Sequence, residues 1–358
     1  MKPIKIAMLG LTHGHTRKYY QVLKENPLLD WVGVSAANGD VKERFLEMVS
    51  GVPCYDSAEQ LFDAHPDLQA VVIASANDCH LKEFEECAMR GLDILMMKIP
   101  TFDLDEYDRM IELKKKYGIV CQVELEMHFN PVVNRLKSVL ASGQLGKLQA
   151  IQATNLTVCP AWAFPWQGSP EQSFGKRVLL GEQNPRFRGG ALCDHPHIFD
   201  LARDLTGSEF ESIYAECAPN IRTDLEVEDM LCVSAKMKNG VIVSLNPSWS
   251  MLETRIDYPK AGWEIAPKRM EVNVTLCGDK GSAFGDCFGP NVYHDGGPND
   301  RYTVRYTYFD EWVGLIDEFV DCVRTRRKPL TNLEGHRGTI RAMLACYESI
   351  STGKPVLL

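Results

Sequence analysis

The chain has 358 residues, 45% apolar and 24% charged, with 39 Lys+Arg against 48 Asp+Glu for a formal charge of −9. This is the composition of a water-soluble globular protein with room for two domains, each with its own core. The acidic balance excludes nucleic acid and anionic membrane surfaces as partners, and no apolar run approaches the roughly 20 residues of a membrane helix. The twelve cysteines are scattered and never form C-x-x-C, which argues against a zinc ribbon or a disulfide framework. With no signal-peptide pattern ahead of the first strand, the expectation is a reduced, cytoplasmic protein.

The apolar run Lys5 to Leu9 turns at Gly10, and a helical pattern with Tyr19, Tyr20 and Leu23 follows. That is the strand–turn–helix entry of a nucleotide-binding βαβ unit, in which helix-start amides face a pyrophosphate. Gly10 fills the first place of G-x-G-x-x-G, while Thr12 and His15 stand at the second and third. A second strand is expected over 31–36, then a helix from about Asp40 with Val41, Phe45, Met48 and Val49 on one face. The spacing next predicts a short strand over 51–55, a helix opened by the capping box of Ser57 and Gln60, and a buried strand over 70–74. A helix over 80–90 closed by Gly91, a strand over 93–97, a helix capped by Asp103 and Glu106 and ended by Gly118, and a strand over 120–123 complete the series. Strands that each lead into a helix require a parallel sheet covered on both faces. The first 125 residues are therefore read as a doubly wound dinucleotide-binding domain. Its usual acidic ribose reader is replaced by Ala36-Ala37-Asn38; Asn38 is the candidate to bond a ribose hydroxyl, and NAD versus NADP stays open, with NAD preferred.

Beyond residue 125 the pattern changes. Asn130-Pro131 opens a helix to Gly143, followed by long alternating segments at 148–156, 231–238, 241–249, 272–276 and 302–308. Lys238-Asn239-Gly240 is a hairpin signal. One helix near 192–205 interrupts the strands, and helices at 311–326 and 334–351 follow. Residues 126–358 are read as an α+β domain with a large, mainly antiparallel sheet, whose open face is expected to mediate association.

Several stretches together resemble the Gfo/Idh/MocA family of glucose–fructose oxidoreductase and inositol dehydrogenase relatives. They are Ala76-Asn77-Asp78-Cys79-His80, Gly91-Leu92-Asp93-Ile94, Met97-Lys98, Asn130-Pro131 with Gly143-x-x-Gly146, Gly189-Gly190-Ala191-Leu192 with His197-x-x-Asp200, Gly278-x-x-Gly281-Ser282 and Ser349-x-x-x-Gly353-x-x-Val356. The family's Glu-Lys-Pro reads Met97-Lys98-Ile99 here, so the lysine is kept and the acid is not. Its Asp four residues before the catalytic His is matched by Cys193, with Asp194 one place later.

The resemblance implies an NAD(P)-dependent oxidoreductase acting on a hydroxyl of a sugar, cyclitol or glycoside, with 126–358 as its substrate-binding domain. His197 would accept the hydroxyl proton, Lys98 would stabilise the reacting oxygen and Asp194 would support them. Cofactor contacts then fall on Gly10, Thr12, His13, His15, Asn38, Ser75, Asn77, His80 and Lys98. Substrate contacts fall on Lys98, His128, Trp162, Trp166, Asp194, His195 and His197, the tryptophans as a sugar-stacking wall or as loop anchors. Assembly as a homodimer or homotetramer is expected. Three other readings remain open: a redox-assisted glycoside hydrolase around a retained NAD, a nucleotide- or sugar-sensing protein without activity, and a metal-dependent hydrolase. The last would use the pairs His13/His15 and His195/His197, with Cys193 and Asp194 as further ligands.

Overall fold

The computed structural model describes residues 2–11, 15–36, 51–158, 190–221, 227–251, 270–289, 291–297, 300–306 and 310–358. The described residues fall into two compact units, one of 1–129 with 310–344, the other of 130–160 with 190–309 and 345–358.

In the first unit six strands form one sheet: β1 (Ile4–Leu9), β2 (Leu29–Ser35), β3 (Cys54–Tyr55), β4 (Ala70–Ile73), β5 (Asp93–Met96) and β6 (Cys121–Val123). All pairs are parallel and the order is β3-β2-β1-β4-β5-β6. That is the doubly wound order whose direction reverses between β1 and β4, where such sheets bind nucleotides. Both faces are covered, so β4, β5 and β6 are buried at every position.

The helices are α1 (Thr16–Glu25), α2 (Ala58–Ala64), α3 (His80–Met89) and α4 (Leu104–Tyr117). Ser57 caps α2 by accepting from the Gln60 amide at 3.2 Å, and the Gln60 side chain reaches back to the Asp56 amide, one residue further than the capping box requires. Asp103 accepts from the Asp105 and Glu106 amides at the head of α4, and Gly118 ends it at φ +64°. The helix α8 (Glu311–Thr325) belongs to this unit. Trp312, Leu315, Ile316, Phe319 and Val320 join Ile6, Met8, Tyr19 and Leu23 in one core. The helix expected from Asp40 lies outside the described residues.

The second unit holds a nine-stranded sheet in the order β14-β13-β12-β11-β7-β10-β9-β8-β15. Its strands are β7 (Leu148–Val158), β8 (Phe210–Cys217), β9 (Leu231–Met237), β10 (Ile242–Met251), β11 (Met270–Gly278), β12 (Ser282–Asp286), β13 (Asn291–Asp295), β14 (Arg301–Arg305) and β15 (Val356–Leu357). Every pair is antiparallel except β7 with β10. Burial alternates along β7 and β9, as a sheet with one covered face requires. The helix α5 (Pro131–Ala141) is capped by Asn130 and buries Val132, Val133, Leu136 and Val139.

The single helix expected near 192–205 is two, α6 (Ala191–Asp194) and α7 (His197–Thr206). The cause is Pro196, whose ring disfavours helical backbone at the residue before it; His195 sits at φ −117°, ψ 52°. The last helix is α9 (Leu333–Thr352).

Candidate active site

At the carboxyl edge of the parallel sheet the hydrogen-bond ladder continues past the strand ends. The Ala74 amide donates to the Leu9 carbonyl (2.7 Å), Met97 to Ile73 (3.2 Å) and Glu124 to Met96 (2.8 Å). This rung-by-rung register brings Gly10, Ser75, Lys98 and Glu124 along one edge. Gly10 has φ +78°, and a Cβ there would lie 2.4 Å from the Ser75 Cα. Only glycine fits, on both conformational and steric grounds.

The helix α1 that follows has no side-chain cap and no acid in its first turn, which leaves its positive end to an anion. Asn77, in the turn after β4, is 7% exposed, and its Oδ1 has no hydrogen-bond partner among the described residues. A glycine-only turn, an uncapped helix start and an orphaned buried acceptor at the switch point fit a dinucleotide.

Lys98 is 5% exposed. Beside it at the end of β6 stand two buried acids, Glu124 and Glu126. Burial drives the Glu126 carboxyl well above its ordinary range, the Glu124 charge adds to this, and Lys98 opposes it. His15 Nδ1 lies 2.7 Å from Glu124 Oε1, and the imidazole edge meets Trp312 at 5.0 Å. His15 thus stands at the start of α1, tied to the neighbourhood of Lys98 by a carboxylate. Ser75 donates to Glu83. His80 is fully buried, its Nδ1 2.9 Å from the Pro100 carbonyl and its Nε2 3.2 Å from that of Ser75. It holds the loops after β4 and β5 to each other. His128 is buried in the short turn after β6.

In the second unit, Asp194, His195 and His197 come together where α6 gives way to α7. Asp194 Oδ2 accepts from the Trp249 indole N–H at 2.9 Å and lies 3.9 Å from His195 Nδ1. His195 Nε2 is 3.2 Å from the Ser248 carbonyl. The Thr157 hydroxyl lies 3.3 Å from the same nitrogen, while Nδ1 is on the side of Asp194. His197 is 5% exposed in the first turn of α7.

Thr12, His13, Asn38, Trp162 and Trp166 lie outside the described residues. Among the described residues no group of three or more His, Cys, Asp or Glu is arranged to hold a metal ion, and His15 belongs to the first unit while His195 and His197 belong to the second. No described helix is long and apolar enough to cross a membrane. Trp249, Glu124 and Glu126 were not among the expected site residues. Their signal in sequence is slight: acids alternating with Val123 and Leu125 at a strand end, and a tryptophan closing an apolar strand.

Residues 4–125 match the oxidoreductase family with NAD-binding Rossmann fold, and residues 133–284 match the GFO/IDH/MocA C-terminal domain. The chain belongs to the GFO/IDH/MocA oxidoreductase family. It is similar to the myo-inositol 2-dehydrogenase of Thermotoga maritima, 23% identical over 336 residues that cover 90% of each chain. Similarity extends to a D-xylose 1-dehydrogenase (NADP(+)) of Haloferax volcanii, 23% identical over 86% of each chain. Among solved structures, an oxidoreductase from Agrobacterium radiobacter in complex with NAD+, L-tartaric acid and magnesium superposes with a TM-score of 0.80, at 16% identity, over 99% of this chain and 98% of that one. The strand order of the first unit and the mainly antiparallel sheet of the second are thus the two domains of a GFO/IDH/MocA oxidoreductase, an NAD(P)-binding enzyme family.

Proposed function

We propose that the chain oxidises a secondary hydroxyl of a cyclitol or sugar with NAD(P), Lys98 stabilising the reacting oxygen and His197 taking its proton. The supporting observation is a lysine only 5% exposed at the carboxyl edge of the parallel sheet, beside the switch point. An ammonium at that edge can donate to an oxygen that gains negative character. The nicotinamide, when bound, supplies the acceptor for the substrate's C–H hydrogen and its electron pair.

A histidine suits the role of a base near neutral pH, and His197 stands at a helix start beside Asp194 and His195. Asp194, held by the Trp249 indole, supports the histidine pair rather than accepting the proton itself. The cyclitol and aldose classes are proposed because relatives similar over nearly the whole chain are named inositol and xylose dehydrogenases.

The test is turnover on a polyol and aldose panel for the native chain, Lys98→Met and His197→Ala. Each variant is expected to lose at least about a hundredfold in kcat, with dinucleotide binding kept in His197→Ala. Near-normal turnover in either removes that residue from the mechanism.

A further inference from the structure

Beneath the turn that carries Asp194 lies a carboxylate that the chemistry above does not use. Glu228 is wholly buried in the segment leading into β9. Its Oε1 accepts from the backbone amides of Gly190 (3.1 Å) and Leu192 (3.2 Å) and from the Tyr347 hydroxyl (2.9 Å). The amide between them, Ala191, donates to the Glu228 carbonyl at 2.9 Å. Three successive amides at the head of α6 therefore end on one residue. A Cβ on Gly190 would lie 1.9 Å from that same carbonyl, so the two segments touch backbone to backbone.

The other oxygen, Oε2, has no hydrogen-bond partner among the described residues. Burying an acid this way is costly, and burial lifts its carboxyl up to about 7 against the pull of the amides and Tyr347. A cost of that kind at a site away from any surface is retained where the group sets the geometry of something else.

We propose that Glu228 is a positioning residue: it fixes the Gly190–Leu192 turn and, through it, where Asp194 and His197 stand. This rests on the roles given to those two residues above. With three amides anchored, α6 cannot rotate about its axis, and Asp194 stays where the Trp249 indole meets it. Trp249 is itself tied to the same segment, its amide donating to the carbonyl of Asp229 at 2.6 Å. One short stretch, Glu228-Asp229, holds the helix on one side and the indole that orients its carboxylate on the other.

The test uses the full chain with Glu228→Ala, Glu228→Gln and His197→Ala, reading NAD reduction on myo-inositol and D-xylose. The Trp249 indole N–H resonance, which reports the bond to Asp194 without substrate, is read alongside. Glu228→Ala is expected to lower kcat by about tenfold to a hundredfold, leave NAD affinity unchanged and move the indole resonance. Glu228→Gln keeps an acceptor for the amides and is expected to recover most of the turnover and the native resonance. Native kcat and resonance in Glu228→Ala overturn the proposal, as does a Glu228→Gln no better than Glu228→Ala. Loss of turnover in His197→Ala with native behaviour in Glu228→Ala refutes the positioning role alone. Native turnover in His197→Ala refutes the reading on which it rests.

Discussion

Lys98 and Glu126 show how a family motif changes at the level of single residues. Met97 stands where the family has glutamate, yet buried acid is still at hand, because the Glu124 amide bonds the Met96 carbonyl and so sets the end of β6 beside the end of β5. The acids near Lys98 come from a strand some thirty positions on, which a motif search along the chain does not see. The same holds for Trp249 and Asp194, 55 positions apart. Replacing Trp249 with Phe keeps the ring and removes the N–H bond to the carboxylate. A charge-assisted bond of this kind is worth roughly 1.5–3 kcal/mol, so kcat is expected to fall about tenfold or more with the fold intact, read by steady-state kinetics beside circular dichroism.

Glu228 makes a pH prediction. Its carboxyl is raised from 4.5 to about 7 in the folded chain. Below pH 4.5 both states hold the proton and the full stability is present. As pH rises towards 7 the unfolded chain releases the proton first, and stability is lost through that window. Glu228→Gln removes this component, so the drop in urea-unfolding free energy between pH 5 and pH 8 should be smaller in the variant, by up to about 3 kcal/mol. Equal drops in the two proteins would contradict it.

Elements were legible where a signal sits within a few residues. The caps Ser57, Asp103 and Asn130 and the stop at Gly118 mark helix ends through bonds between near neighbours. They place α2, α4 and α5 close to where the spacing puts them. The strands β8, β12, β13 and β15 lacked that advantage. Alternation over five residues, as in β12 and β13, is too brief to separate from a loop, and β15 is a strand only because Val356 and Leu357 pair with Ile213 and Ser212. The break between α6 and α7 was written in Pro196, but apolar spacing on both sides concealed it. Gly10 is the element-scale test of the nucleotide turn. Gly10→Ala forces a side chain into φ +78° and against the Ser75 backbone. Strain plus overpacking should cost about 2–4 kcal/mol and weaken dinucleotide binding more than tenfold, by chemical denaturation and titration calorimetry.

At the scale of the whole molecule, the alternation of strand and helix over the first 125 residues was enough to give a parallel sheet. Its order, which places the switch point between β1 and β4, is one of several that right-handed crossovers allow and comes from the structure. The second sheet was legible in class but not in its parallel β7–β10 pair, since nothing local distinguishes a parallel neighbour from an antiparallel one. Among the described residues, one face of this sheet carries Phe284 and Tyr293 as direct cross-strand neighbours, 37% and 41% exposed. Self-association through that face is expected. Phe284→Arg with Tyr293→Arg should shift the native chain to a smaller species in light scattering, and an unchanged mass would place the contact elsewhere.

The central step is hydride transfer from the carbon that bears the reacting hydroxyl to a nicotinamide. Its direct measurement is the formation of reduced cofactor when the native chain is incubated with NAD or NADP and cyclitols or aldoses, repeated with substrate deuterated at the reacting carbon. Reduced cofactor carrying the deuterium, formed by the native chain and not by Lys98→Met, is the predicted result. A chain that binds the dinucleotide yet reduces none of it with any member of the panel would contradict the account.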